Sequence, residues 1–224
     1  MNKQDIYSKL ADKMVHYVDL LKISVKDNHE LLVKIQKNKN LYSREINPNT
    51  LTFIDKDIYV REKVADLLTL ASKNLSDVSD EYSLEVVYGH RSIKIQTELF
   101  EKYKQLYSKK YKDSELLEAV HRSIAMPIIA GHPAGAAVDI RIMKNNIPIN
   151  MGTEIWEFVP DSFTFSPFIS KQAWNNRKLL RDVMQKTGFA PYDGEWWHFS
   201  YGDKEWAKYY SMPNAIYDQL ELTI

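Results

Sequence analysis

The chain has 224 residues, 44% of them hydrophobic and 12% aromatic, and its 30 basic residues balance 30 acidic ones. Enough apolar surface is present to offset chain ordering, which excludes a largely disordered chain, and zero net charge offers no field for nucleic acid or an anionic membrane surface. Cysteine is absent, so disulfides, thiolate nucleophiles and cysteine-based zinc fingers are excluded, and any metal must be held by histidine and carboxylate.

The length predicts one domain, 1–224, with a helical N-terminal portion to about residue 80 and a motif-bearing core at about 84–201. Met1-Asn2-Lys3-Gln4-Asp5-Ile6-Tyr7 has charges where a signal peptide needs an unbroken apolar core, and no later run reaches membrane-spanning length. A cytoplasmic protein without a membrane partner is expected. Nothing in the sequence sets its oligomeric state.

In chain order, Ile6, Leu10, Met14, Val18 and Leu21 recur every three or four positions and predict one amphipathic helix from Lys3 to Ile23. Glu30 to Gln36 reads as a short strand, Asn-Pro-Asn at 47–49 as a turn, and about Val60 to Asn74 as a second helix with Val64, Leu67, Leu68 and Ala71 on one stripe. Leu84 to Tyr88 is a buried strand that delivers Arg91 at its end. Ser92 caps the next helix, with Ile95, Leu99, Phe100, Tyr103 and Leu106 on its stripe, and Ser114 caps a short one reaching His121.

Ala136 to Met143 alternates like a strand and places Asp139 and Arg141 on one face, and Asn145-Asn146 signals a hairpin. Ser170 caps a helix through Lys186 that Gly188 stops, with Arg177, Arg181 and Asp182 on its solvated face. Glu195 to Tyr201 follows as an aromatic strand. Strands joined by both hairpins and helices predict an α+β domain with a largely antiparallel central sheet flanked by helices.

Two stretches carry candidate chemistry. Ala130-Gly131-His132-Pro133-Ala134-Gly135-Ala136-Ala137-Val138-Asp139 offers an imidazole and, seven residues on, a carboxylate; Gly194-Glu195-Trp196-Trp197-His198 offers a second imidazole with a carboxylate three residues before it. Two histidines and one aspartate around an open position suit catalytic zinc, which leaves Glu195 free as a base toward water at the metal. Residues three apart on a flat strand point to opposite faces, so Glu195 and His198 reach one site only if Gly194 lets Glu195 sit in the turn before the strand. The helical His-Glu-x-x-His arrangement of other zinc proteases is absent. Trp196 and Trp197 read either as core or as walls that dry the site, and Arg91 either as a surface residue or as a fixed fork of donors aimed at an oxyanion.

Taken together these residues resemble the VanX-type D-alanyl-D-alanine dipeptidases, a branch of the zinc D-Ala-D-Ala peptidases whose fold is related to the hedgehog signalling domain. The family's Ser-x-His-x-x-Gly-x-Ala-x-Asp pattern falls on Ala130, His132, Gly135, Ala137 and Asp139, departing at its first position, and its Glu-Trp-Trp-His falls on Glu195, Trp196, Trp197 and His198. The resemblance extends from about Leu84 to Phe199.

It implies one zinc ion per chain held by His132, Asp139 and His198, Glu195 as the catalytic base and Arg91 at the transition state. The implied activity is hydrolysis of D-alanyl-D-alanine or a similar small D,D-dipeptide. A D,D-carboxypeptidase or L,D-endopeptidase of cell-wall peptides, or a non-catalytic zinc-containing interaction module, is the alternative. Two departures bear on substrate: Ala130 lacks a hydroxyl that the family can direct at the substrate carboxylate, and Trp156 lies where an aspartate helps hold the substrate ammonium. Glu154 or Glu157 are candidates to replace that charge, and Trp156, Trp196 and Trp197 are the candidate substrate contacts.

Overall fold

The structure, a computed structural model, describes residues 2–44 and 57–221. The turn expected at 47–49 lies outside the described residues. Among these, no helix is long and apolar enough to cross a membrane.

The N-terminal helix expected over Lys3–Ile23 is two helices, α1 (Lys3–Ala11) and α2 (Tyr17–Leu21). Asn2 and Asp5 close a reciprocal capping box on α1. The break has a tertiary cause. Tyr7 packs edge-on against Phe163, whereas Tyr17 and Leu20 pack against Ile129, and the turn between the helices lets both be buried. Val18 and Leu21, read as stripe residues, are 44% and 43% exposed.

Strand β1 (Leu32–Lys34) pairs antiparallel with β3 (Tyr59–Arg61), so the helix expected from Val60 starts two residues later as α3 (Glu62–Ser76). The main sheet runs β2 (Leu41–Ser43), β4 (Tyr82–Tyr88), β5 (Ala137–Lys144), β8 (His198–Ser200) and β7 (Ala190–Pro191), with β6 (Ile147–Pro148) paired to β5. Among the described residues of this sheet only the β2–β4 pair is parallel, so the sheet is mixed and largely antiparallel, as expected for an α+β protein. Asn145 and Asn146 both take positive φ at the β5–β6 hairpin, the backbone that a tight hairpin turn of that length requires.

Alternation along β5 divides the sheet's two faces. Val138, Ile140 and Ile142 enter a fully buried core with Val64, Leu68 and Leu75 of α3 and with Leu180 and Met184 of α6 (Lys171–Lys186). Each such side chain contributes about 1.5–3 kcal/mol of transfer free energy. Asp139 and Arg141 point to the other face, where Arg141 pairs with Glu85 of β4 and Asp139 lines a cavity. That cavity is shared with α4 (Ile93–Tyr107), which packs with α5 (Asp113–His121) around a separate cluster of Phe100, Val120 and Ile124. Ser92 caps α4 as expected, accepting from Ile95 N, but α5 begins at Asp113 after Lys112 and is not capped by Ser114. The last helix, α7 (Lys204–Tyr209), has no sequence expectation behind it; Asp203 caps it.

On α6 the solvated face is smaller than its pattern suggests. Arg177 is 1% exposed, and its guanidinium donates to the carbonyls of Met151, Asp161 and Phe163 at 2.6, 2.8 and 2.7 Å. Arg181 pairs with Asp193 in a partly buried bridge, and only Asp182 is exposed. A helical stripe does not reveal this burial, because the loop that covers Arg177 comes from residues 151–163.

Candidate metal centre and its cavity

Asp139 sits in the central strand, in register with Tyr88 of β4 on one side and His198 of β8 on the other. Cross-strand partners share a face, so the aspartate and His198 meet without any loop rearrangement. His132 arrives from the 3₁₀ turn His132–Ala134 that precedes β5, which ends at Gly135 with φ +66°. That left-handed backbone is open to glycine at little cost. Arg61, 2% exposed, pins this turn by donating from Nε to Ala134 O at 2.8 Å, while its own N–H donates to Gly135 O at 2.9 Å. Arg61 carried no sequence signal.

His132, Asp139 and His198 each present a ligand atom within 4.8 Å of the others, a group that could hold a metal ion. His132 Nε2 lies 3.5 Å and His198 Nδ1 3.1 Å from the same oxygen, Asp139 Oδ1. His132 Nδ1 lies 2.8 Å from Gly89 O, so it carries the proton and leaves Nε2 free as a donor. Trp156 Nε1 donates to Asp139 Oδ2 at 2.7 Å.

The electrostatics fit a cation at this point. Burial lowers His132 to about 4, partly offset by Asp139, so its imidazole is neutral as a ligand must be. Burial works to raise Asp139, but charge and hydrogen bonds from the two histidines hold it well below the carboxylate range. Burial would lower His198, yet the hydrogen bond it donates to Asp139 and the charges of Glu205, Asp139 and Glu195 raise it to about 9. Carboxylates that pull one imidazole into its cationic form make a surplus of negative charge that a divalent ion would neutralise.

Glu195 occupies the turn before β8, as the spacing required, with its carbonyl accepting from His198 N at 3.2 Å. Desolvation is the largest influence on its carboxyl and, with the charges of Asp139 and Glu205, raises it to about 8 against His198 and Arg91. The expected strand over Glu195–Tyr201 is therefore only His198–Ser200.

These groups line one cavity of about 240 Å³, which includes Arg91, His132, Asp139, Trp156, Glu195 and His198. That is below the roughly 300–1,000 Å³ of typical drug-sized ligand sites, so it suits a small molecule. Arg91 is 6% exposed: it donates from Nε to Tyr88 Oη at 2.8 Å and from its terminal nitrogen to Gln96 Oε1 at 2.9 Å, with the guanidinium 4.6 Å from the Tyr88 ring centroid. Of the three tryptophans read as contacts, only Trp156 reaches the cavity. Trp197 is fully buried beside Phe158, and Trp196 donates to Thr153 Oγ1 at 2.9 Å on the other side of the loop. Glu154 and Glu157 are exposed and line a different groove. Tyr103, His121, Tyr192 and Glu205 also line the cavity, and no motif marked them.

An α+β scaffold carrying a His–Asp–His donor set beside a desolvated glutamate defines a protein built around a metal-type centre. The chain belongs to the D-ala-D-ala dipeptidase family, whose profile matches residues 82–216. It is 34% identical over 101 residues to the D-alanyl-D-alanine dipeptidase of Synechocystis sp. (strain ATCC 27184 / PCC 6803 / Kazusa), a match spanning 40% of this chain and 41% of that one. It is 28% identical over 92 residues to the D-alanyl-D-alanine dipeptidase of Enterococcus faecium, spanning 40% and 42%. Among solved structures, it is similar to the LdcB LD-carboxypeptidase, with a TM-score of 0.48 and 22% identity over 83% of this chain and 75% of that one.

Proposed function

We propose that this protein is a zinc-dependent peptidase that hydrolyses D-alanyl-D-alanine or a similarly small D,D-dipeptide. The observation that carries the reading is the convergence of His132, Asp139 and His198 on one point in a small cavity that also holds Glu195. Zinc held by those three residues would supply Lewis-acid polarisation of the scissile carbonyl and of the attacking water.

The chain's own groups supply the rest. Glu195, in its ionised form, takes the proton of the attacking water as oxygen adds to the carbonyl carbon, and returns that proton to the leaving amine as the C–N bond breaks. Arg91 presents the remainder of its guanidinium to the oxyanion, and its bonds to Tyr88 and Gln96 keep that fork from reorganising during the reaction. Phe158, Tyr103 and Trp156 supply apolar walls that keep bulk water away.

The test pairs two variants. His132→Ala should lose most bound zinc, because three protein ligands are too few to spare one. Glu195→Gln should bind zinc normally while kcat falls by roughly 10²–10⁴-fold, the usual contribution of a positioned acid–base group. Near-native turnover by a zinc-loaded Glu195→Gln protein would sink the mechanism, and an inactive parent would move the reading to an interaction module.

A further inference from the structure

Arg91 and His132 reach the cavity on two separate loops, 89–91 after β4 and 131–135 before β5. These loops are bonded directly to each other: His132 Nδ1 donates to Gly89 O at 2.8 Å, and Arg91 N donates to His132 O at 3.3 Å. A second set of bonds joins them through residues 218–221, which line no part of the cavity. Beyond Tyr217 this segment adds no side chain to the hydrophobic clusters. Its ordering costs conformational entropy that polar tethers, in place of core packing, must offset. The segment also lies outside the stretch 82–216 that the family profile matches.

Four consecutive residues each hold a different piece of the site's support. Asp218 O accepts from Arg61 Nη2 at 2.6 Å, and Arg61 Nε in turn donates to Ala134 O at 2.8 Å. Gln219 Nε2 donates to Pro127 O, at the start of the 3₁₀ turn Pro127–Ile129 whose last residue lines the cavity. Leu220 N donates to Pro133 O at 3.0 Å and Leu220 O accepts from His90 Nε2 at 2.9 Å, so one residue joins the two loops a second time. Glu221 Oε1 accepts from Ile93 N at 3.1 Å in the first turn of α4, where the helix dipole favours an anionic group. His90 is 6% exposed and its Nδ1 is buried without a partner, so among the described residues the bond to Leu220 is the one that its ring makes.

We propose that residues 218–221 form a clasp that sets the Arg91 loop against the His132 loop, and that His90 is the positioning residue that closes it. Arg61 already pins the His132 loop at two carbonyls, through Nε to Ala134 O and through its own N–H to Gly135 O, so slack in the clasp falls on Arg91. A misplacement of about 1 Å can cost roughly 10²-fold in rate even when it originates away from the chemistry. That Arg91 meets an oxyanion rests on the peptidase reading; the clasp itself does not.

The test uses the full chain loaded with zinc and two readouts, kinetics on D-alanyl-D-alanine and amide hydrogen exchange. His90→Phe keeps an aromatic ring and removes the donor, His90→Gln keeps a donor, and Leu220→Pro removes the N–H that bonds Pro133 O. His90→Phe and Leu220→Pro should each lower kcat by at least about tenfold, with KM and zinc content little changed. Each should also speed exchange of the Arg91 amide by about five- to tenfold, the worth of one hydrogen bond. Exchange at Ile140, whose N–H donates to Trp197 O at 3.0 Å from the central strand, should stay the same, which separates loss of the clasp from general destabilisation. His90→Gln should restore most of both effects. If His90→Phe does not fold, Leu220→Pro decides the question. Wild-type kcat or wild-type Arg91 exchange in the deciding variant, an equal acceleration at Ile140, or no recovery in His90→Gln overturns the proposal. If the parent cleaves no D-alanyl-D-alanine while the Arg91 amide still responds to these variants, the peptidase reading falls and the clasp stands.

Discussion

Trp156 Nε1 donates at 2.7 Å to Asp139 Oδ2, while the opposite oxygen, Oδ1, faces His132 and His198. The indole thereby leaves Oδ1 turned toward the two imidazoles. Trp156 holds this position with φ at +62°, a backbone region in which a bulky residue is strained by roughly 1–3 kcal/mol. Trp156→Phe keeps the ring and removes the donor. Zinc affinity, measured by competition with a chelator, should fall by about 10–100-fold, the usual effect of losing a partner that orients a metal ligand. Unchanged affinity would leave Trp156 as a wall alone.

Arg91 is braced on three sides, by Tyr88 Oη, by Gln96 Oε1 and by the Tyr88 ring face. A lysine keeps the charge and cannot reproduce the fork. We expect Arg91→Lys to lower kcat by about 10²-fold with zinc content unchanged, comparable to deleting one oxyanion donor. Wild-type kinetics on the best substrate would exclude Arg91 from the transition state.

Arg177 serves the fold. Its guanidinium satisfies three backbone carbonyls of the 151–163 loop that also carries Trp156. Arg177→Met, similar in length but without donors, should cost about 3–5 kcal/mol in urea unfolding, because buried acceptors are left unpaired. A loss below about 1 kcal/mol would mean that water replaces the guanidinium there.

His121 gives a pH dependence outside the candidate metal centre. Burial lowers it to about 4, with the charges of His16, Arg122 and His198 acting in the same direction, and neither ring nitrogen has a hydrogen-bond partner among the described residues. The unfolded chain takes up this proton near 6.5 and the folded one only near 4, so acid favours unfolding. The contribution is fully present above pH 6.5 and is lost as pH falls toward 4, about 3 kcal/mol in all. His121→Phe should flatten the stability-versus-pH curve between those limits. An equally steep curve in the variant would assign the acid sensitivity to other groups.

Much of the centre was legible in the residue order. The period-two pattern of β5 places Asp139 opposite the core-facing Val138 and Ile140, and the three-residue gap from Glu195 to His198 already required a turn before the strand. Local alternation and turn chemistry are properties of neighbouring residues, so they can be read without the fold. The capped starts of α4 and α6 and the glycine stop after α6 are of the same kind.

Only the tertiary structure decided what each side chain faces. Asp139 and His198 meet because β5 and β8 pair in one register, 59 residues apart in the chain. The same long-range packing breaks the Lys3–Ile23 pattern into two helices, buries Arg177 under a distant loop and turns Trp196 and Trp197 into the core. It also brings Glu205, on a helix without a motif, to the cavity wall beside Tyr192. A polar residue's partner is set by the chain that covers it, and that chain is rarely adjacent in sequence. Motif spacing therefore determined the candidate donor set, and strand register and loop packing determined the surroundings in which those side chains sit.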